Sequence, residues 1–376
     1  MVKANKKWSS GCLHAGCLLC NAWRLLNTVQ GILSPMASSF ASLTANAKRV
    51  IVIDLGFLGD TVHLLPALWV IRQHYAGAEL HVMVAEHITG LLGCTPWVDK
   101  VWGYPRFPKG PKWHQDLGRV SQLRRAGFEV VINLNGSDRS SYLTFFSGAK
   151  WRLGRCVKPS LSKRIFFTHL ACVPRDTVLV SEQHCLALQG AGFDCHSPEF
   201  HITVPPAAAA RIAEVLGGED GSARRWIHVS PFTTQDYKEL PTSILAGALN
   251  EVNRQRPEIP VVISCTDNIR ERTKLKALLA ELSFKPFHVF EGALSLADLV
   301  AVIRGSRLHI GGDSGGLHVG VMCGTATLTW VRRYAGAVAW MPVGPEHLAL
   351  VGDASPTGLT GIQSAELVAG VLALLG

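Results

Sequence analysis

Short apolar runs alternate with longer amphipathic stretches along most of this chain. Residues 50–53 form a continuous apolar run, the pattern of a strand that is buried on both faces. The stretch that follows, up to about residue 75, has the apolar spacing of a helix. Further strands are predicted at 80–84 and 129–134. Strands that alternate with helices predict right-handed βαβ units and a parallel sheet.

The same alternation restarts after residues 204–210, where Pro205 and Pro206 interrupt the pattern and indicate a linker. In the second half, strands are predicted at 226–229, 261–264, 287–290, 308–310 and 326–331, and helices at 242–253, 270–282, 296–304, 315–323 and 364–375. Two halves of this kind predict an α/β protein with two lobes. Its ligands should bind in the cleft, at the carboxyl ends of the strands.

These patterns divide the chain into four parts. Residues 1–46 precede the first convincing strand and are predicted to be a poorly ordered extension. An N-terminal domain is predicted over 47–204 and a C-terminal domain over 205–350. Residues 351–376 are predicted to end in a helix that packs back on the body of the protein.

Composition and charge are those of a globular protein with a basic surface. Apolar residues make up 48% of the chain and charged residues 17%, and the net charge is +9. Seven Lys and Arg residues occur between Lys150 and Arg175 without an Asp or Glu. This cluster is either an ordinary solvated face or a surface that meets an anionic substrate or lipid headgroups.

The cysteines and the apolar runs indicate the cellular setting. The ten cysteines are scattered without regular spacing, which favours small buried side chains over disulfides. Cys17 and Cys20 have the spacing of half a zinc site, but no second pair follows nearby, so no metal is expected. No apolar run reaches the roughly 18 residues that span a bilayer. These features predict a cytoplasmic protein.

The first candidate site is the turn from Gly56 to Asp60, directly after the first predicted strand. It places one carboxylate, that of Asp60, at the rim of a cleft. The same residue is a good helix N-cap, so a purely structural role stays open. The turn is not the G-x-G-x-x-G of a dinucleotide-binding fold, which makes a dehydrogenase the weakest interpretation.

The second candidate site follows the strand at 226–229. The hydroxyls of Ser230, Thr233 and Thr234 could donate to phosphate oxygens, and Lys238 could neutralise their charge. An ordinary polar loop with a solvated lysine is the alternative.

The third candidate site is the glycine-rich stretch after the strand at 308–310. Asp313, Ser314 and Gly315 stand where a helix is predicted to begin, and His318 lies one turn further on. A helix N-terminus directs free N–H groups and the positive end of its dipole toward a phosphate. A capping aspartate and a core histidine are the structural alternative.

Together, the three sites resemble the ADP-heptose:lipopolysaccharide heptosyltransferase family (glycosyltransferase family 9). The resemblance covers roughly residues 49–350. The matching residues follow the family order, and they are Gly59-Asp60 with Pro66, the phrases at 98–101 and 131–136 with Arg139, Lys238 with Pro241, Gly312 to Gly315 with His318, and the phrase at 340–344. The resemblance implies a GT-B fold, with two Rossmann-like domains that face each other across a cleft.

The resemblance also implies an inverting glycosyl transfer that needs neither a metal nor another cofactor. Asp60 would be the general base, and Gly59, Asn135 and Arg139 would lie on the acceptor side. Residues of the second and third sites would hold the diphosphate of the donor. The implied partners are a nucleotide sugar and an anionic lipid-linked saccharide, with peripheral contact at the inner face of the inner membrane and no nucleic acid.

Two other functions are compatible with the same residues. The donor could be another nucleotide-hexose, in which case the reaction class is unchanged. Alternatively, the chain could be a non-catalytic nucleotide-sugar-binding protein, which would bind the donor without turnover.

Overall fold

The computed structural model describes residues 39–106, 112–174, 178–195, 202–217, 226–292, 294–356 and 358–376. Residues 40–376 form one compact unit. The prediction for residues 1–38, including the cysteines there, lies outside the described residues.

The first sheet is built from β1 to β6, and its strands alternate with helices and 3₁₀ segments. The strands of this sheet are β1 Arg49–Ile53, β2 Glu79–Ala85, β3 Lys100–Tyr104, β4 Val130–Asn133, β5 Trp151–Cys156 and β6 His169–Cys172. The helices of this half are α1 Phe40–Thr44, α2 Leu58–His74, α3 Leu117–Ala126, α4 Asp138–Phe146, α5 Leu161–Phe166 and α6 Val180–Gly190, with 3₁₀ segments at Glu86–Cys94 and Trp113–Asp116. All strands are parallel, in the order β3-β2-β1-β4-β5-β6.

The second sheet follows helix α7, Pro206–Leu216. Its strands are β7 Ile227–Ser230, β8 Val261–Cys265, β9 His288–Glu291, β10 Leu308–Gly312, β11 Ala326–Arg332, β12 His347–Ser355 and β13 Gly358–Thr360. Its helices are α8 Thr242–Gln255, α9 Ile269–Glu281, α10 Leu296–Gly305, α11 Gly315–Met322 and α12 Ser364–Leu375, with 3₁₀ segments at Asp236–Lys238 and Ala337–Ala339. The order is β13-β12-β11-β10-β7-β8-β9, parallel except for the antiparallel pair β12–β13.

The two lobes pack on each other through helices. Helix α2 of the first lobe packs on α11 of the second, and the 3₁₀ segment Glu86–Cys94 packs on α10. Val300, Ile303 and Val319 of the second lobe are buried in the same apolar cluster as the core of the first. The carboxyl ends of both sheets are therefore joined by a continuous apolar contact.

Three sequence predictions need correction at their edges. Residues 40–46 are ordered, because Phe40 is buried and the Thr44 hydroxyl lies 2.6 Å from that of Tyr75. A helix, α7, begins at Pro206 inside the predicted linker, since proline is well tolerated in the first turn of a helix. The boundary predicted between residues 350 and 351 falls inside β12.

The end of the chain belongs with the second sheet. Helix α12 packs against α8 and β11, and β13 extends the sheet at its edge. The boundary between residues 204 and 205 stays a prediction. Among the described helices, none combines the length and the hydrophobicity that a bilayer-spanning segment requires.

Candidate active site

Asp60 lies in the first turn of α2, directly after β1. The N-cap of α2 is Phe57 and not Asp60, but one of the Asp60 carboxylate oxygens accepts the Phe57 N–H at 2.8 Å and so stabilises the start of the helix. A Cβ added to Gly56 would lie 2.3 Å from the Asp60 Cβ, and only glycine leaves room for this side chain. Burial raises the pKa of Asp60, and the Phe57 hydrogen bond opposes that rise. The Asp60 carboxylate therefore stabilises the start of the helix and also has a raised pKa.

Asp54 is a second carboxylate at this turn, and the sequence reasoning missed it. It is fully buried, and its oxygens accept the N–H of Gly56 and the side-chain amide of Asn135, both at 2.9 Å. The Thr61 hydroxyl donates to it at 3.3 Å. Burial and then the charge of Asp60 raise the pKa of Asp54 to about 6. Asn135, which was predicted on the acceptor side, therefore binds Asp54 at the start of the turn.

Two arginines follow strands of the first sheet, Arg106 after β3 and Arg139 after β4. Arg106 donates to the carbonyl of Leu55 and lies 4.6 Å from the centre of the Phe57 ring. Arg139 donates to the Tyr104 hydroxyl at 2.7 Å and is paired with the carboxylate of a buried aspartate, Asp116, at 2.9 Å. Arg139 is therefore fixed by a local network, and 38% of its side chain remains exposed. Arg106 was not found from the sequence, because it lies in a polar stretch without a recognisable motif.

Lys238 and Asp313 meet at the carboxyl edge of the second sheet. The lysine Nζ lies 2.7 Å from an Asp313 oxygen, and both side chains are largely buried. An ammonium group has three donors, so two remain to serve a phosphate. Asp313 holds the lysine and is not the N-cap of α11, a position that Ser314 occupies without a side-chain hydrogen bond. The ion pair was not anticipated, although both residues were predicted.

Ser230 and Gly315 complete this edge. Ser230 ends β7 and pairs in register with Gly311 of β10, so the two candidate stretches are neighbours. The Ser230 hydroxyl lies 3.8 Å from the position of a Cβ on Gly316, in the first turn of α11. A serine hydroxyl and the free N–H groups of the helix therefore point to the same region.

The two threonines of the second site have different environments. Thr233 is buried, and its N–H donates to the buried carboxylate of Glu239 at 2.7 Å. That carboxylate is paired with Arg270 and Lys274 of α9, which fix the loop. Thr234 is exposed. The predicted phosphate contacts are therefore better placed at Ser230 and Lys238 than at Thr233. The anchoring pairs were missed because they join the loop to a helix more than 30 residues away.

The two glycine turns, found separately in the sequence, touch each other across the cleft. A Cβ on Gly59 would lie 2.8 Å from the His318 ring, and a Cβ on Gly315 would lie 2.5 Å from Leu58. Next to this contact, His63 Nε2 lies 3.1 Å from His318 Nδ1. The structure thus places the turn that carries the carboxylate against the start of α11.

The histidine pair is uncharged at neutral pH. Burial lowers the pKa of His318 to about 4, with a further contribution from the charge of Lys238. Burial and the neighbouring His318 lower the pKa of His63 to about 3. The ring of Trp340 packs against both, at 5.4 and 5.7 Å between ring centres. His318 therefore contributes packing and a hydrogen bond to the site, and no positive charge.

Within the described ranges, no three His, Cys, Asp or Glu side chains are grouped as ligands for a metal ion. The site offers two neighbouring carboxylates of raised pKa, Asp54 and Asp60, in the first lobe, and a lysine and a helix N-terminus in the second. That combination can remove a proton on one side and stabilise a leaving phosphate on the other. A metal-independent reaction stays a prediction.

Comparisons with known proteins identify relatives. The model of glycosyltransferase family 9 (heptosyltransferase) matches residues 118–330, more than half of the chain. The lipopolysaccharide core heptosyltransferase OpsX of Haemophilus influenzae is 21% identical over 285 residues, which cover 76% of this chain and 79% of that protein.

Two solved structures have the same fold. A glycosyl transferase family 9 protein of Veillonella parvula superposes with a TM-score of 0.75 at 19% identity, over 87% of this chain and 97% of that chain. The ADP-heptose lipopolysaccharide heptosyltransferase II of E. coli gives 0.70 at 16% identity, over 87% and 98%. The predicted two-lobed GT-B fold is confirmed.

Proposed function

Because this chain belongs to glycosyltransferase family 9 (heptosyltransferase), we propose that it transfers heptose from ADP-heptose to the core of a lipopolysaccharide acceptor. The similarity to a lipopolysaccharide core heptosyltransferase and to an ADP-heptose lipopolysaccharide heptosyltransferase supports this donor and acceptor. The acceptor is lipid-linked and anionic, and the protein meets it at the cytoplasmic face of the inner membrane.

The contact between the two glycine turns carries the proposal. Leu58 and Gly59, which precede Asp60, pack against Gly315 and His318 at the start of α11. A diphosphate at the N-terminus of α11 would lie beside the turn that presents the Asp60 carboxylate. Inverting transfer needs this arrangement, because base and leaving group act on opposite sides of the anomeric carbon.

In the proposed step, the acceptor hydroxyl attacks the anomeric carbon of the donor. The new carbon–oxygen bond forms as the bond to the β-phosphate breaks, and Asp60 takes the proton of the hydroxyl. Burial raises the pKa of Asp60, which makes it a better base than an exposed aspartate. Lys238 and the N–H groups of α11 stabilise the departing diphosphate, and no metal or cofactor takes part.

Asp60→Asn tests the role of the carboxylate. Asparagine keeps an oxygen for the Phe57 N–H, so the helix cap survives while the base is lost. Transfer should fall about 10²- to 10⁴-fold, which is the usual contribution of a general base. The affinity for ADP, measured by calorimetry, should stay unchanged. Glu182→Gln, which removes an exposed carboxylate from the same lobe, is the matched control. Full activity of Asp60→Asn would leave Asp60 as a cap only.

A donor screen tests the substrate. The protein is incubated with a truncated lipopolysaccharide and with ADP-heptose, UDP-hexoses or other nucleotide sugars, and the product is analysed by mass spectrometry. A mass gain of one heptose is expected with ADP-heptose alone. Transfer of a hexose would show that the donor is a nucleotide-hexose and not ADP-heptose. Binding of a nucleotide sugar without turnover would favour a non-catalytic protein. Chelation of divalent metals should leave the rate unchanged, and a loss restored by Mg²⁺ would overturn metal independence.

A further inference from the structure

An apolar face without a protein partner lies around α5 in the first lobe. Leu161 is 77% exposed, Ile165 54% and Val157 41%, and α5 has no buried residue. Leu161 and Ile165 are four residues apart, so they share one face of the helix. Large apolar side chains that are exposed together mark an interaction surface more often than those that are scattered singly.

The surroundings of this face are strongly basic. Lys158 and Arg164 flank the apolar side chains in the sequence, and no acidic residue occurs from 150 to 174. An apolar face edged by cations is complementary to a bilayer with anionic headgroups, where each cation near the surface adds to binding. Asp138 is an exposed acid beside this face, 4.0 Å from the Lys163 Nζ, and the cations of α5 and Lys158 outnumber it. A protein partner with an apolar patch would not require this basic excess.

The position of α5 is fixed. Ser160 caps the helix by accepting the N–H of Lys163, and the Lys163 Nζ donates to the carbonyl of Gly136 at 2.8 Å and to the Ser141 hydroxyl at 2.6 Å. These hydrogen bonds fix the helix that carries the exposed apolar side chains. Their exposure is built into the fold and does not come from a loose segment.

Helix α5 lies at the same edge of the sheet as Asp60, the candidate base. The chain reaches α5 from the carboxyl end of β5, while Asp60 follows the carboxyl end of β1, and β4 lies between these two parallel strands. Gly136, which Lys163 holds, follows directly after Asn135, the residue that binds Asp54. A surface on which α5 rests would therefore approach the edge where the acceptor must enter.

We propose that the α5 surface, formed by Val157, Lys158, Leu161, Arg164 and Ile165, docks the protein on an anionic lipid bilayer. Leu161 and Ile165 enter the boundary between headgroups and acyl chains, and Lys158 and Arg164 contact the lipid phosphates. The inference rests on the proposed function in one respect, since a lipid-linked acceptor is what gives the docking its use. It extends that function by naming the side chains that bring the base to the membrane.

Vesicle binding tests the docking directly and needs no donor or acceptor. The full chain is sedimented with vesicles of phosphatidylcholine alone or mixed with phosphatidylglycerol. Binding is expected only to the mixed vesicles and should weaken as salt is added, because salt screens exposed charges. Lys158→Gln/Arg164→Gln should bind about 30-fold more weakly, since each lost cation accounts for about fivefold. Leu161→Glu/Ile165→Glu should lose about tenfold or more.

A control separates docking from folding and from chemistry. Val215→Glu replaces one exposed apolar residue by glutamate at a 45% exposed position on α7, outside α5, and should bind vesicles like the wild type. Leu161→Glu/Ile165→Glu should keep its rate on a water-soluble truncated acceptor and lose rate on the acceptor held in vesicles. Vesicle binding unchanged in both α5 variants would overturn the proposal, as would an equal loss on the soluble acceptor. If no heptose is transferred but the α5 variants still lose vesicle binding, only the proposed function fails.

Discussion

Replacing Asp54 by asparagine should stabilise the protein at neutral pH and have little effect in acid. Asparagine can still accept the N–H of Gly56 and the amide of Asn135, but it cannot ionise. The pKa of Asp54 is raised from 3.8 to about 6, chiefly by burial. Below pH 3.8 the folded and unfolded chains both hold this proton, so the group costs nothing.

The sign and size of the effect follow from that difference. As the pH rises from 3.8 toward 6, the unfolded chain releases the proton first, and the wild type loses stability. Above about pH 6 the loss is complete and amounts to about 3 kcal/mol, at 1.36 kcal/mol for each pKa unit. Asp54→Asn does not suffer this loss.

Chemical denaturation followed by tryptophan fluorescence measures the effect. The free energy of unfolding of Asp54→Asn minus that of the wild type should grow by about 2 kcal/mol between about pH 4 and pH 7.5, because a small part of the full effect is already present at pH 4. Glu182→Gln, which also removes one carboxylate but from an exposed position, controls for the change in net charge. A difference between Asp54→Asn and the wild type that stays constant with pH would refute the reasoning.

The same variant has a kinetic consequence. The charge of Asp60, together with burial, raises the pKa of Asp54 to about 6, so Asp54 ionises beside a group that is already charged. Asp54→Asn removes this second ionisation, and an inflection of the wild-type rate profile near pH 6 should disappear in the variant. A rate profile that Asp54→Asn leaves unchanged would show that the ionisation of Asp54 does not affect catalysis.

Two further substitutions probe the opposite side of the cleft. Lys238→Met should raise the KM for the donor about tenfold or more and lower kcat as well, because in the proposed step the ammonium contacts the diphosphate before and during its departure. Steady-state kinetics measures both, and an unaltered KM would remove Lys238 from the proposed donor site. Gly315→Ala should reduce transfer strongly, since the added methyl group would lie 2.5 Å from Leu58 and force the two turns apart. Gly118→Ala, where a Cβ meets nothing within 4 Å, is the control for that change, and equal activities of the two variants would mean that the contact between the turns is dispensable.

The central strands could be predicted because a strand that is buried on both faces usually has a continuous run of apolar residues. β1, β4 and β8 are of this kind, whereas β7 is as deeply buried but carries His228 between its apolar residues. The strands at the edge of the first sheet gave no such signal. β3 and β6 are partly exposed and contain polar or aromatic residues, so their pairing depends on neighbours that are distant in sequence.

The candidate site was predictable where chemistry follows a strand, and not where it depends on contacts between lobes. Asp60, Lys238 and Asp313 each stand in a recognisable turn. Asp54 stands in the same turn as Asp60, but its burial depends on Asn135, 81 residues later. The contact of His63 with His318 spans 255 residues, and no local pattern indicates it.

The contact between His63 and His318 explains why neither histidine supplies positive charge to the proposed donor site. A proton on either ring would bring a charge into a buried space beside Lys238, where burial already holds the pKa of His318 at about 4. The pair therefore joins the lobes by an uncharged hydrogen bond, which survives across the physiological pH range. In the proposed function, the diphosphate is then neutralised by Lys238, which Asp313 holds, and by the N-terminus of α11. Because the hydrogen bond between His63 and His318 carries no charge, a bound donor can change the electrostatic potential of the cleft without changing the protonation of the two histidines.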